Sequence, residues 1–127
     1  MLMAERKTRN PPPAPPAAAS FLPLNPLEFR ILLVLAGGAS HAYRIVKEIE
    51  EREAGLTVYP ANLYRRIRDL LERGLIEESA AGPREEGGRR RTLLKASELG
   101  RRVAKAEARR LEALVLEARE GRLLERA

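Results

Sequence analysis

Between Leu24 and Glu120 apolar residues recur at helical spacing in four stretches, and a short Gly- and Pro-rich hairpin separates the third from the fourth. That order, three short helices, a hairpin and one long helix, excludes most small folds. The first stretch opens on Asn25, a good N-cap, with Pro26 at N1, where a missing N–H costs nothing. Glu28 at N3 would complete a capping box, and Leu24 and Phe29 fall at the staple positions. This helix carries Ile31, Leu32 and Leu35, stops at Gly37-Gly38, and is apolar on most sides, as a central packing helix should be. Ser40 is the expected cap of a second helix with Ala42, Ile45, Val46 and Ile49 on its stripe. Lys47–Glu51 and Glu48–Arg52 ion pairs are expected on its wet side, with Gly55 as its end.

The third helix reads PANLYRRIRDLLERG from Pro60. Leu63, Ile67, Leu70 and Leu71 share one face, and Gly74 supplies the stop. At 100° per residue Arg65 and Arg68 point away from that face, beside Ala61 and Asn62 at the N-terminal end. Tyr64 lies on the boundary. A short strand, Leu75–Ser79, and a basic return strand, Arg89–Lys95, follow around the tip AAGPREEGG. Ser97 caps the last helix, expected over Glu98 to Glu120, where Ala104, Ala108, Leu111, Val115 and Ala118 keep a seven-residue pattern with Leu114 alongside.

The fold class expected is therefore mainly α with a small β-hairpin: a winged helix-turn-helix with a long C-terminal dimerisation helix. Residues 1–22, with PPPAPPAAAS at their centre, read as a disordered tail rather than a minor-groove arm. Residues 23–96 form the expected DNA-binding domain and 97–127 the dimerisation helix.

Composition narrows the function. There is no cysteine and a single histidine, His41, so disulfides, thiolate chemistry and the usual metal sites are not expected. Neither a cofactor nor an enzymatic role is expected, because no nucleophile, base and orienting group accompany His41 and Tyr43. No apolar run reaches the roughly 20 residues that span a bilayer, so a cytoplasmic protein without membrane contact is expected. The net charge of +6 comes from 24 basic residues, of which 20 are arginine, and arginine's planar fork suits phosphate and guanine. Base composition of the genome would explain that bias alone. Arginine on two consecutive elements, Arg65 and Arg68 on the third helix and Arg89, Arg90 and Arg91 on the wing, argues for double-stranded DNA. The competing reading is a winged-helix protein–protein module without DNA binding.

Three segments, LEFRILLVLAGGASHAYRIVKEIEER, YPANLYRRIRDLLERGLIEE and GGRRRTLLKASELGRRV, together resemble the PadR-like transcriptional regulators over Leu24 to Leu124. His41 and Tyr43 match the family's His-Gly-Tyr start of the second helix, with Ala42 for glycine. Pro60, Leu63 and Tyr64 match its Ser-Pro-Gly-Thr-Leu-Tyr entry to the third, and Gly74-Leu75-Ile76 its first wing strand. Tyr59 stands in place of the usual serine, Asn62 in place of threonine, and Thr92-Leu93-Leu94 replaces an aromatic return strand. The resemblance implies a homodimeric repressor acting on an operator, with a small-molecule effector of unknown identity left open. His41, Tyr43, Ala61, Asn62, Tyr64, Arg65, Arg68 and Arg89–Arg91 are the expected DNA contacts. For Tyr64, a hydroxyl on phosphate and packing against the wing both stay open. The single terminal helix resembles the family's small subclass, which dimerises through this helix and the first. The expected interface is Leu27, Ile31, Ala104, Ala108, Leu111, Leu114, Val115 and Ala118.

Overall fold

The computed structural model describes residues 17–79 and 92–125. Helix α1 runs Pro26–Ala36, α2 Ala42–Arg52, α3 Pro60–Glu72 and α4 Glu98–Glu120, with strands β1 Ile76–Glu78 and β2 Leu94–Ala96 between α3 and α4. This is a winged helix extended by one long helix.

Asn25 caps α1 as its sequence position demands: Oδ1 accepts the N–H groups of Leu27 at 2.8 Å and Glu28 at 3.2 Å. The capping box, however, does not form. The Glu28 carboxylate turns away from Asn25 and takes two arginines of α3, because charged donors outbid a backbone N–H that water can satisfy. Ile31, Leu32, Val34 and Leu35 are buried, so α1 is the central helix against which α2, α3, α4 and β2 pack.

The start of α2 also departs from expectation. His41, not Ser40, is the N-cap, without a side-chain capping bond. The backbone of Ser40 is extended and exchanges two 2.9 Å hydrogen bonds with Leu94, adding a one-residue rung to the wing. Ile45 and Ile49 face the core, and Glu48 pairs with Arg52 and with Arg44. Lys47 lies over the Tyr43 ring, 5.7 Å from its centroid, rather than beside Glu51.

Leu63, Ile67 and Leu70 bury the inner face of α3. Gly74 then takes φ +75°, a left-handed value that turns the chain directly into the wing. β1 and β2 pair antiparallel, Ile76 opposite Ala96, Glu77 opposite Lys95 and Glu78 opposite Leu94. The return strand is thus centred later than the basic run: Arg89, Arg90 and Arg91 lie outside the described residues.

Ser97 links wing and terminal helix. Its hydroxyl donates to the Gly74 carbonyl at 2.6 Å and accepts the Gly100 N–H at 3.0 Å, capping α4. Gly100 passes Leu75, the residue before β1, so closely that an added Cβ would lie 1.8 Å from the Leu75 carbonyl oxygen. Val103 and Glu107 complete the packed half of α4.

The boundary placed at residue 22 is corrected on its described side. Ala18–Phe21 form a 3-10 turn, and Ala18, Phe21 and Leu22 pack on the core beside α4. Phe21 and Leu22 contribute the apolar area that the preceding proline run lacks. The N–H of Leu24 donates to Glu107 Oε2 at 3.1 Å, which ties this entry segment to α4. Arg110 holds the same carboxylate at 2.6 and 3.0 Å. That hydrogen-bonded arginine, with the Leu24 N–H, keeps the Glu107 carboxyl below the usual carboxylate range, against the opposing effect of burial.

Candidate nucleic-acid interface

The outer face of α3 is built by what its inner face consumes. Leu63, Ile67 and Leu70 fix the helix on the core, leaving Ala61, Asn62, Tyr64, Arg65 and Arg68 in solvent. Small residues lead and long cations follow, the order a helix needs when its N-terminal end approaches a groove floor. The four arginines of α3 and its C-cap divide sharply. Arg66 and Arg73 turn inward to Glu28, while neither Arg65 nor Arg68 is paired with a carboxylate among the described residues. Two unneutralised guanidinium groups on one face make a site for an anion or a guanine edge.

Tyr64 is 54% exposed. Tyr43 is also exposed, at the first turn of α2, and His41 beside it is half-buried. The His41 Nδ1 is enclosed without a hydrogen-bond partner among the described residues. His41, Arg44 and Arg52 line a shallow depression with the Gly37–Ser40 turn and Leu93. Sequence reasoning did not single out Tyr59, whose ring is 68% exposed immediately before Pro60. Its signal was the departure from serine at that position.

The expected interface residues divide in two. Ile31 is wholly enclosed by its own core and presents no surface to a second copy. The reason is its central helix: that side of α1 is already covered by neighbouring elements. Leu27 and Ala104 are half-buried against the same core. Ala108, Leu111, Leu114, Val115 and Ala118 stay wholly or partly accessible on the distal half of α4. Leu33 and Leu116, which the heptad reading passed over, are exposed as well. Leu33 shares a groove with Leu24, Phe29 and Leu111, rimmed by Arg30 and Arg110. No helix of the described residues is long and apolar enough to cross a membrane.

The profile described as the transcriptional regulator PadR-like family matches residues 31–106, more than half of the chain. The chain belongs to the PadR-like family of transcriptional regulators. The match spans the core of α1, all of α2 and α3, the wing and the packed half of α4. Solved structures share this PadR-like fold at low identity. A PadR family transcription regulator from Clostridium difficile R20291 superposes with a TM-score of 0.66 at 16% identity, covering 79% of this chain and 100% of that one. A transcriptional regulator from Clostridium thermocellum gives 0.63 at 24%, covering 74% and 87%. Bacillus subtilis PadR, solved in complex with operator DNA, gives 0.57 at 17%, covering 65% of this chain and 46% of that one. A comparison with curated protein sequences finds no match.

Proposed function

We propose that this chain is a sequence-specific, double-stranded DNA-binding repressor acting as a homodimer. Helix α3 enters the major groove, and the wing lies on the backbone or in the minor groove. The observation that carries the reading is the pair Arg65 and Arg68, exposed on the outer face of α3 behind the small entrance residues Ala61 and Asn62 and unneutralised among the described residues. Bacillus subtilis PadR, a fold relative, was solved with operator DNA, which supports the same use of the fold here. Arg89–Arg91 would supply the wing's phosphate contacts, and Tyr43, His41 and Tyr64 those at the start of α2 and along α3. Repression is the role that membership of the PadR-like family favours.

Dimerisation is supported by the distal half of α4. Leu114, Val115 and Leu116 are 45%, 38% and 55% exposed there, apolar side chains that a lone domain leaves in water. Pairing two copies would also place two α3 helices on half-sites about 10 base pairs apart. Selection of genomic fragments on the purified protein, followed by sequencing, tests both statements together. The expected product is an inverted repeat with that spacing. Recovery of no enriched sequence would return the chain to the protein–protein reading.

A further inference from the structure

Glu28 has a place in the molecule that its sequence position does not suggest. It sits in the first turn of α1, yet only 3% of the residue is exposed. Each of its carboxylate oxygens takes a different arginine of the reading helix. Oε1 accepts from Arg73 Nη2 at 2.6 Å, and Oε2 accepts from Arg66 Nη1 at 3.2 Å. Arg66 also lies 3.7 Å from Asp69, and the Arg73 Nε donates to the Asp69 carbonyl at 3.3 Å, so both guanidinium groups are held from two sides. Arg66 and Arg73 are seven residues apart, two turns along one stripe of α3. Two anchor points on one stripe restrict both rotation about the helix axis and sliding along it. The apolar stripe of Leu63, Ile67 and Leu70 seats the helix on the core, and the two directional anchors add to that constraint.

We propose that Glu28 is a positioning residue for DNA reading: through Arg66 and Arg73 it sets the axial rotation of α3 and thereby the aim of Arg65 and Arg68. This rests on the reading of α3 as the groove-entering helix. Arg65 and Arg66 are neighbours, so drawing Arg66 inward turns Arg65 out, and Arg68 follows on the same outer face. Bidentate contact to a base edge tolerates misplacement of only about 0.5 Å and 10–20°. Contact to phosphate is more forgiving, because the backbone offers an acceptor at every step. Loss of the clamp should therefore reduce discrimination while sparing general affinity.

The sign of the charge change separates this from a simple electrostatic effect. Glu28→Gln removes a negative charge, which by itself favours binding to any DNA. The positioning role requires the opposite outcome for the operator.

The test compares the full chain with Glu28→Gln and with the milder Arg73→Lys. The probes are the duplex recovered by genomic selection and a scrambled duplex of equal length and composition. Binding is measured below the melting transition of each variant, as followed by circular dichroism. Both variants are expected to lose about tenfold or more in the ratio of operator to scrambled affinity. Affinity for the scrambled duplex should stay within about twofold of wild type or rise for Glu28→Gln. A third variant, Glu28→Leu with Arg66→Met and Arg73→Met, replaces the buried carboxylate and its two partly exposed partners by apolar groups and should recover thermal stability without recovering discrimination. If discrimination returns together with stability in that variant, the role is structural only and the proposal falls. Wild-type discrimination in a folded Glu28→Gln or Arg73→Lys protein would overturn it equally. A wild-type chain that binds both duplexes equally would instead remove the underlying reading of α3, and the clamp's role with it.

Discussion

Helices α3 and α4 each give one side to the core and keep another in solvent, but the exposed sides are chemically opposite. The free side of α3 carries Asn62, Tyr64, Arg65 and Arg68, with the two cations unneutralised among the described residues. The distal half of α4, past Glu107, leaves Leu114, Val115 and Leu116 exposed. Unpaired cations cost nothing in water and gain from a polyanion through counterion release. Exposed leucines cost free energy in water and gain from a second apolar surface. One chain thus presents two faces with non-overlapping partner chemistry, and the rigid α1 platform connects them.

The proximal half of α4 belongs to the domain, and breaking it should have the largest effect. Gly100→Ala forces a Cβ into the Leu75 carbonyl, so helix and strand must separate. A destabilisation of at least about 3 kcal/mol is expected, read as a lowered denaturant midpoint. A midpoint near wild type would mean that α4 does not pack against Leu75 as described.

Leu114→Asp combined with Val115→Asp probes the distal half of the same helix. The charges fall on exposed positions, so helix content should survive. Sedimentation should show a dimer becoming a monomer, and operator affinity should fall by about 100-fold or more as two half-sites are no longer addressed together. A double variant that stays dimeric and still binds tightly would remove α4 from the interface.

On the opposite face, Arg65→Ala or Arg68→Ala should cost about 1–3 kcal/mol at particular base pairs where the contact is bidentate to a base. Loss that is equal on all sequences would demote the residue to a phosphate contact. Asn62→Ala is the sharper probe, since its short side chain reaches only what lies at the helix entrance.

The smallest effect concerns pH. Because Glu107 titrates below the usual carboxylate range when folded, it stabilises the protein above about pH 4.3, the unperturbed glutamate value. That contribution is lost as pH falls from there through the lowered folded value. Glu107→Gln should therefore melt lower than wild type at neutral pH, with the difference shrinking in acid. A constant difference across that range would contradict the Arg110 and Leu24 contacts.

The helices, their order and the wing were legible because each rests on local chemistry: Asn25 and Ser97 as caps, the Leu63–Ile67–Leu70 stripe, Gly74 as a turn. Tertiary competition decided what was not. Glu28 has the spacing of a capping box, but Arg66 and Arg73 come from a helix 38 and 45 residues away. Ser40 looks like a cap until Leu94 claims its backbone. Ile31 looked available to a second copy because periodicity gives a helix's apolar sides without saying which are already covered. Leu33, two residues on, is the side left open.

The most direct measurement of the central claim is operator affinity as a function of salt, by fluorescence anisotropy, for the wild type and for Arg65→Ala with Arg68→Ala. The account predicts a steep, linear fall of log affinity with log salt concentration for the wild type. The double variant should lose either about one unit of slope per phosphate-bound arginine or its preference for the operator over a scrambled duplex. Affinity that ignores salt, or a double variant indistinguishable from wild type in both slope and preference, would contradict it.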